Sequence, residues 1–220
     1  MVNLKENLSE IHAKINAAKE RSLIKENVTL VCVSKTIDAD TINKAAELGE
    51  CVFGENRPQE LRDKYPLVPG ARWHLIGHLQ SNKVKYVVGK VELIHSVDSF
   101  HIAEAINAEA KKQGVVQNIL LEVNISGEES KYGLTTGEIS NIIKEIQALQ
   151  NIAFRGFMTM APLDASPEEI RSIFKAARAL YEKYVPMGAS VLSMGMSGDF
   201  EIAVEEGATH VRVGSAIFKR

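Results

Sequence analysis

Eight short apolar runs rich in β-branched residues punctuate this chain, and between them apolar residues recur at helical spacing. The runs are Val28–Ser34, Cys51–Gly54, Arg72–Ile76, Val91–Val97, Gln117–Val123, Ile152–Thr159, Ser190–Met194 and His210–Val213. Several are nearly continuous in apolar residues, as parallel strands covered on both faces are; a strand with one wet face alternates instead. Strand–helix units repeated in this way predict the α/β class and a closed (β/α)8 TIM barrel. A doubly wound open sheet is the competing arrangement. No low-complexity linker interrupts the pattern, so residues 1–220 are expected to form a single barrel domain.

The segments between the runs carry helix signals. Ser166-Pro167-Glu168-Glu169 is a capping box with proline at the first helical position, followed by an apolar stripe at Ile170, Ile173, Phe174, Ala177, Leu180, Tyr181 and Tyr184. Thr135-Thr136-Gly137-Glu138 reads as a second box, ahead of Ile139, Ile142, Ile143, Ile146 and Leu149. Gly49, Gly114 and Gly207 each follow a helical pattern, where a left-handed cap is wanted. Leu4, Leu8, Ile11, Ile15 and Ala18 mark an extra amphipathic helix over about residues 1–20, ahead of the first strand.

Composition removes several functional classes. A formal net charge of -2 provides no global attraction to nucleic acid or membrane, and the loose cluster Lys83, Lys85 and Lys90 reads as a solvated helix face. No window approaches a membrane-spanning run, and the first twenty or so residues lack the continuous apolar stretch of a signal peptide. The two cysteines, Cys32 and Cys51, lie in apolar runs and are too few for a disulfide scaffold or a zinc knuckle. They are expected to be buried thiols in a reducing, cytoplasmic compartment. Asn27-Val28-Thr29 and Asn124-Ile125-Ser126 match the glycosylation pattern by chance on that reading.

A barrel of this kind carries its active site at the C-terminal ends of its strands. Lys35 follows the first strand there, after Val28 to Ser34. A lysine at the rim of an apolar core either snorkels into solvent or, when partly desolvated, forms an imine with an aldehyde or ketone. Ser197-Gly198-Asp199 follows the seventh strand and opens a short helix; Gly214-Ser215 follows the eighth. Small-residue turns at helix starts in these two places suit a phosphate, although each alone also reads as an ordinary tight loop. An imine-forming lysine beside a phosphate site has two main solutions, a sugar-phosphate aldolase or pyridoxal 5′-phosphate (PLP). Arg212, on the eighth strand, is either half of a structural ion pair or a partner for the PLP pyridine nitrogen. In the second role it would keep that nitrogen unprotonated and the cofactor a weaker electron sink.

Five stretches together carry a resemblance. They are Val33-Ser34-Lys35, Phe53-Gly54-Glu55-Asn56-Arg57, Trp73 to Lys83 (WHLIGHLQSNK), Leu192 to Asp199 (LSMGMSGD) and Val211 to Phe218 (VRVGSAIF). The chain resembles the YggS/PROSC family of PLP homeostasis proteins, in order and without detectable gaps from about Val28 to Phe218. The resemblance implies a PLP fold-type III barrel like the N-terminal domain of alanine racemase. It implies PLP carried as a Schiff base on Lys35, with Arg212 facing the pyridine nitrogen. Phosphate would be held by Ser197, Gly198, Gly214 and Ser215, with Asn56 near the ring hydroxyl and Met194 and Met158 as lining. Two departures are local: Lys219-Arg220 stands where the family has glycine after Ala-Ile-Phe, and Pro58 stands where an aliphatic residue is commoner.

The same resemblance bears on activity. Alanine racemase adds a β-rich domain that supplies a tyrosine acid/base, and the residues up to Arg220 leave none for such a domain. Racemisation needs an acid/base on each face of the cofactor, and Lys35 serves only one. The expectation is therefore a monomeric PLP carrier without strong catalytic activity, with PLP-dependent apoenzymes as candidate recipients; a PLP-dependent amino-acid racemase is the alternative. His74 and His78 are four apart, but no glutamate completes a zinc pattern between them, and a loop setting is expected. Met158, Met160, Met194 and Met196 read as packing around the cofactor rather than a soft-metal cluster. Lys131, in the polar loop after the fifth strand, is either a solvated charge or a secondary PLP site.

Overall fold

The computed structural model of the protein describes residues 3–127 and 133–219. Eight parallel strands close into a barrel in chain order, with β8 paired back to β1. They are β1 (Thr29–Val33), β2 (Val52–Glu55), β3 (Arg72–Leu75), β4 (Leu93–Val97), β5 (Gln117–Glu122), β6 (Ile152–Met158), β7 (Val191–Ser193) and β8 (His210–Val213). Each lies within or next to one of the apolar runs. The outer helices are α1 (Leu4–Arg21), α2 (Ala39–Glu47), α3 (Pro58–Lys64), α4 (Phe100–Gln113), α5 (Ile139–Gln147), α6 (Pro167–Tyr184), α7 (Phe200–Glu205) and α8 (Ser215–Phe218). A short 3-10 helix over Ser81–Tyr86 takes the place of a full helix between β3 and β4.

Local chemistry sets these boundaries. Ser166 caps α6 reciprocally: its hydroxyl accepts from the Glu169 amide and the Glu169 carboxylate accepts from the Ser166 amide at 2.8 Å. Such a cap contributes about 1 kcal/mol. The second predicted box is only half made. Glu138 accepts from both the amide and the hydroxyl of Thr135, but no helix amide donates to that hydroxyl in return, and α5 starts one residue after Glu138 without a side-chain cap. Pro58 opens α3 at a position whose N–H would have no helical partner. Gly114 ends α4 with φ +66°, where a side chain would be strained.

Side chains two apart share a strand face. The outward set packs under the helices into one large core that includes Phe53, Trp73, Ile94, Leu121 and Val213. The inward apolar cluster is small: Leu93, Leu120 and Met158, with Val191 against it. The rest of the described barrel interior is largely polar, with His74, His95, Ser193 and Arg212 all buried. Barrels of this type are usually filled by bulky aliphatic layers, so this polar interior calls for a reason.

The predicted N-terminal helix forms as α1, and its stripe Leu4, Leu8, Ile11, Ile15 and Ala18 is buried. It packs against α7 and α8 of its own barrel, where Asn7 Nδ2 donates to the Ile217 carbonyl and Arg21 pairs with Glu205. The cysteines differ from expectation. Cys32 is buried, and burial pushes its thiol pKa well up, but Cys51 is exposed. It precedes β2, at the N-terminal rim of the barrel, one residue before the buried stretch begins. Lys131 falls outside the described residues.

Candidate functional site

A cavity of about 600 Å³ opens at the C-terminal end of the barrel. Its floor and walls bring together Lys35 after β1, Asn56 after β2, Arg212 on β8, and the turns Ser197–Gly198 and Gly214–Ser215. Seven of the eight site residues expected from the sequence thus line one space. Apart from Asp199, the remaining wall is mostly apolar, from Val33, Ile76, Met160, Pro162, Met196 and Ile202 among others.

Lys35 is exposed at this cavity, and among the described residues its amine has no hydrogen-bond or ion-pair partner. Arg212 is the opposite case. It is 4% exposed, and it donates from Nη1 to Ser193 Oγ at 2.6 Å and from Nη2 to the Thr159 carbonyl at 3.0 Å. No carboxylate of the described residues lies within 4.0 Å of it, which removes the structural ion pair as its explanation. Burial pulls its pKa down to about 10, with Asp199 and Glu122 acting against that pull. The guanidinium is thus a buried cation at neutral pH whose counter-charges lie beyond ion-pair distance.

The two glycine turns are joined. The Gly214 amide donates to Ser197 Oγ at 3.2 Å, so the segments after β7 and β8 form one wall. The Asp199 carboxylate accepts from the Met196 amide and closes the first turn. Among the described residues the amides of Ser197, Gly198 and Ser215 have no protein acceptor. A Cβ built on Gly198 would meet nothing within 4 Å, whereas one on Gly214 would press on Val33 at 3.0 Å. Gly214 is therefore glycine for packing, and Gly198 faces open space beside unused N–H donors. Unused amides at a cavity wall suit an anion with several acceptor oxygens.

Asn56 completes the set. Its Oδ1 is buried without a partner. The amide oxygen and nitrogen exchange places by a flip, so this buried end can accept from a hydroxyl or donate to a phenolate. Gly77 permits its placement: a Cβ there would collide with the Asn56 carbonyl oxygen.

The alanine racemase N-terminal domain family matches residues 7–220. A protein of Aquifex aeolicus named pyridoxal phosphate homeostasis protein is 40% identical over 223 residues, covering 99% of this chain and 98% of the relative. The chain belongs to this family of pyridoxal phosphate homeostasis proteins. PipY of Synechococcus elongatus, solved with PLP bound, superposes with a TM-score of 0.86 at 32% identity, covering 98% of this chain and 100% of that one. An alanine racemase of Clostridium difficile shares the fold, with a TM-score of 0.79 at 18% identity, covering 99% of this chain and 56% of that one.

Met194 and Met158 do not line the cavity. Met194 lies one residue past the inward-facing Ser193, so it faces the helices and is fully buried in the outer core. Met158 faces inward, in the apolar cluster with Leu93 and Leu120. Their places at the cavity are taken by Met196 and Met160, each two residues further along. His74 and His78 diverge. His74 is on β3, inside the barrel, where His95 Nε2 and His74 Nδ1 are 3.0 Å apart. His78 lies beside Asp98 at 3.1 Å. Neither Ser193 nor His95 stood out in the sequence as a functional residue. The available signal was a polar residue at an inward position of an otherwise apolar strand.

Proposed function

We propose that this protein binds PLP in the cavity at the barrel's C-terminal end, holds it covalently as a Schiff base on Lys35, and serves PLP homeostasis as a carrier. One observation carries the reading: a free amine, a buried guanidinium without an ion-pair partner, an unpartnered buried amide and a set of unused backbone N–H groups all face the same cavity. The guanidinium and the Asn56 amide are buried polar groups whose burial is costly until a ligand satisfies them, and the amine and the N–H groups stand free at the same cavity to meet it. Such a ligand must be an anion at one end, polar on its ring and reactive toward an amine. The bound cofactor supplies an electrophilic aldehyde on an electron-withdrawing ring. Relatives named for pyridoxal phosphate homeostasis, and a neighbour solved with PLP bound, support the assignment.

The chain's own residues divide the work. Ser197, Gly198 and Ser215 would hold the phosphate with their free amides, Gly214 would shape the same turn through its amide's bond to Ser197, Asn56 would meet the ring hydroxyl, and Lys35 would be the point of attachment for the aldehyde carbon. Arg212, fixed by Ser193 and Thr159, presents its remaining N–H groups to the ring nitrogen and keeps that nitrogen from protonating. Catalysis is weakly supported. The ionisable groups lining the cavity among the described residues are Lys35, Asp199 and Arg212. Asp199 is tied to the Met196 amide and Arg212 to two acceptors, which leaves Lys35 as the one group free to move a proton. Racemisation needs a second. The same reading makes the protein a single-domain, cytoplasmic monomer that passes PLP to apoenzymes. In its support, no helix of the described residues is long and apolar enough to cross a membrane, and the apolar stripe of α1 is used on its own barrel.

The test is the visible spectrum of the purified protein with added PLP, for wild type and Lys35→Ala. A band at about 420 nm in wild type that is absent from the variant is the expected result. No such band in wild type refutes the assignment and favours a cofactor-free aldolase.

A further inference from the structure

β2 ends in a charge. After Val52, Phe53 and Gly54 comes Glu55, whose side chain is fully buried. A buried carboxylate is costly unless it is paired and hydrogen-bonded. Glu55 Oε1 accepts from Ser34 Oγ and from Lys64 Nζ, both at 2.7 Å. Lys64, at the end of α3, also donates to the Ser34 carbonyl at 2.8 Å and to Glu60 Oε2 at 3.2 Å. Glu60 Oε2 in turn accepts from the Thr36 amide at 2.9 Å. The Ser34 carbonyl and the Thr36 amide belong to the two peptide units on either side of Lys35. Both are therefore gripped by one network anchored in β2 and α3.

The grip holds an uncommon backbone. Thr36 has φ +63°, the one non-glycine residue with positive φ among the described residues. A β-branched side chain is strained in that region, and such strain persists only where the surroundings over-determine it. The Lys35 side chain itself makes no hydrogen bond, so its direction is set by the backbone that carries it. Residues 34–36 thus pair a free amine with a tightly fixed main chain.

We propose that Glu55, Lys64 and Glu60 form a positioning bracket that aims the Lys35 amine into the cavity, with Glu60 holding the strained turn at Thr36. None of the three touches the cofactor on this reading; they act through residues 34–36. The inference rests on Lys35 as the attachment point, as proposed above. It separates two properties of the site. The phosphate turns and Arg212 determine how strongly the cofactor's body is held, whereas the bracket determines how readily the neutral amine attacks the aldehyde, forming the C=N bond as the C=O bond breaks and its oxygen leaves with two amine protons as water.

Glu60 is the residue to vary, because its side chain is 24% exposed and the fold does not depend on burying it. The comparison is wild type, Glu60→Ala and Glu60→Gln, with thermal unfolding of each as a control. The readouts are the rate of borohydride-trappable attachment of PLP to Lys35 and the affinity for pyridoxine 5′-phosphate, which keeps ring and phosphate but lacks the aldehyde. Glu60→Ala is expected to slow attachment about tenfold, as loss of one charge-assisted hydrogen bond implies. Its affinity for the aldehyde-free analogue should stay within about twofold of wild type. Glu60→Gln keeps an acceptor for the Thr36 amide and should recover most of the rate. Attachment at the wild-type rate in Glu60→Ala overturns the bracket, as does a parallel loss in both readouts or a glutamine variant as slow as the alanine one. Failure of wild type itself to attach PLP overturns the PLP assignment and the bracket with it, so the two failures are distinguishable.

Discussion

Arg212→Met separates what the site costs the fold from what it contributes to binding. The guanidinium is pulled well below its ordinary range, down to about 10, chiefly by burial. A base whose folded pKa lies below its unfolded value destabilises the fold wherever it is charged in both states. The cost is therefore fully present at neutral pH and is relieved only as pH rises from about 10 toward the ordinary arginine range. At about 1.4 kcal/mol per pKa unit it amounts to about 3 kcal/mol. Methionine removes that cost and fills most of the volume, but it strands two acceptors. Ser193 Oγ keeps its contact with His95 Nδ1 at 3.0 Å, so the Thr159 carbonyl is the main loss, about 1–2 kcal/mol. The net expectation is a cofactor-free variant about 1–2 kcal/mol more stable than wild type, a rise of about 2–8 °C in Tm for a chain of this size. Saturating PLP should raise the stability of wild type by about 3 kcal/mol at a hundredfold excess over Kd, and that of the variant by much less. Urea and thermal unfolding, with and without PLP, measure both halves. A cofactor-free variant less stable than wild type by more than about 2 kcal/mol would mean that Arg212 is a structural residue and would refute the reasoning.

Two further outcomes follow from the geometry. Gly198→Ala should leave stability within about 0.5 kcal/mol, because its φ is not left-handed and the added Cβ meets nothing within 4 Å, yet it should weaken inorganic phosphate binding by crowding the free amides; equilibrium dialysis decides. Glu122 is held up to about 7, first by burial and then by Asp98, so the folded state favours its proton, and stability is lost as pH rises from about 4.5 through 7; Glu122→Gln should equal wild type at pH 4 and exceed it by up to about 3 kcal/mol at pH 8.5 in urea unfolding.

The barrel was legible because each strand is a compact apolar run and the strands are separated by helical stretches, so period and spacing agree. The site was legible for a related reason. A strand's C-terminal end can be read from where its apolar run stops, and in this fold those ends meet at one face. Parity was harder. Met194 and Met196 are two apart and would share a face if the strand continued, but β7 ends at Ser193 and Gly195, with φ +91°, breaks the alternation, so Met194 packs under the helices while Met196 reaches the cavity. Burial at strand starts was also misjudged, as at Cys51, since an apolar run does not mark where the covering layer begins. The bracket of Glu55, Lys64 and Glu60 was invisible for a different reason. Its members are spread over α3 and the end of β2, and charged residues on a short helix read as solvated until their partners are placed.

The polar barrel interior now has an explanation. Ser193 Oγ accepts from Arg212, so its own proton is available to His95 Nδ1. His95 is neutral, because burial lowers its pKa well below the usual value, and its Nε2–H then points at His74 Nδ1. His74, held to about 3 by burial, is neutral as well and carries its proton on the unpartnered Nε2. The column fixes every tautomer in sequence and adds no charge of its own. An aliphatic layer could not hold the guanidinium in place, and a carboxylate within contact distance would neutralise it and compete with the ligand. Neutral imidazoles and a hydroxyl do neither: they orient Arg212 while leaving its charge uncancelled by any direct contact. The positive wall that faces the free amides and the Lys35 amine thus follows from what lies behind it, which is why an anionic ligand is the group that best completes this barrel.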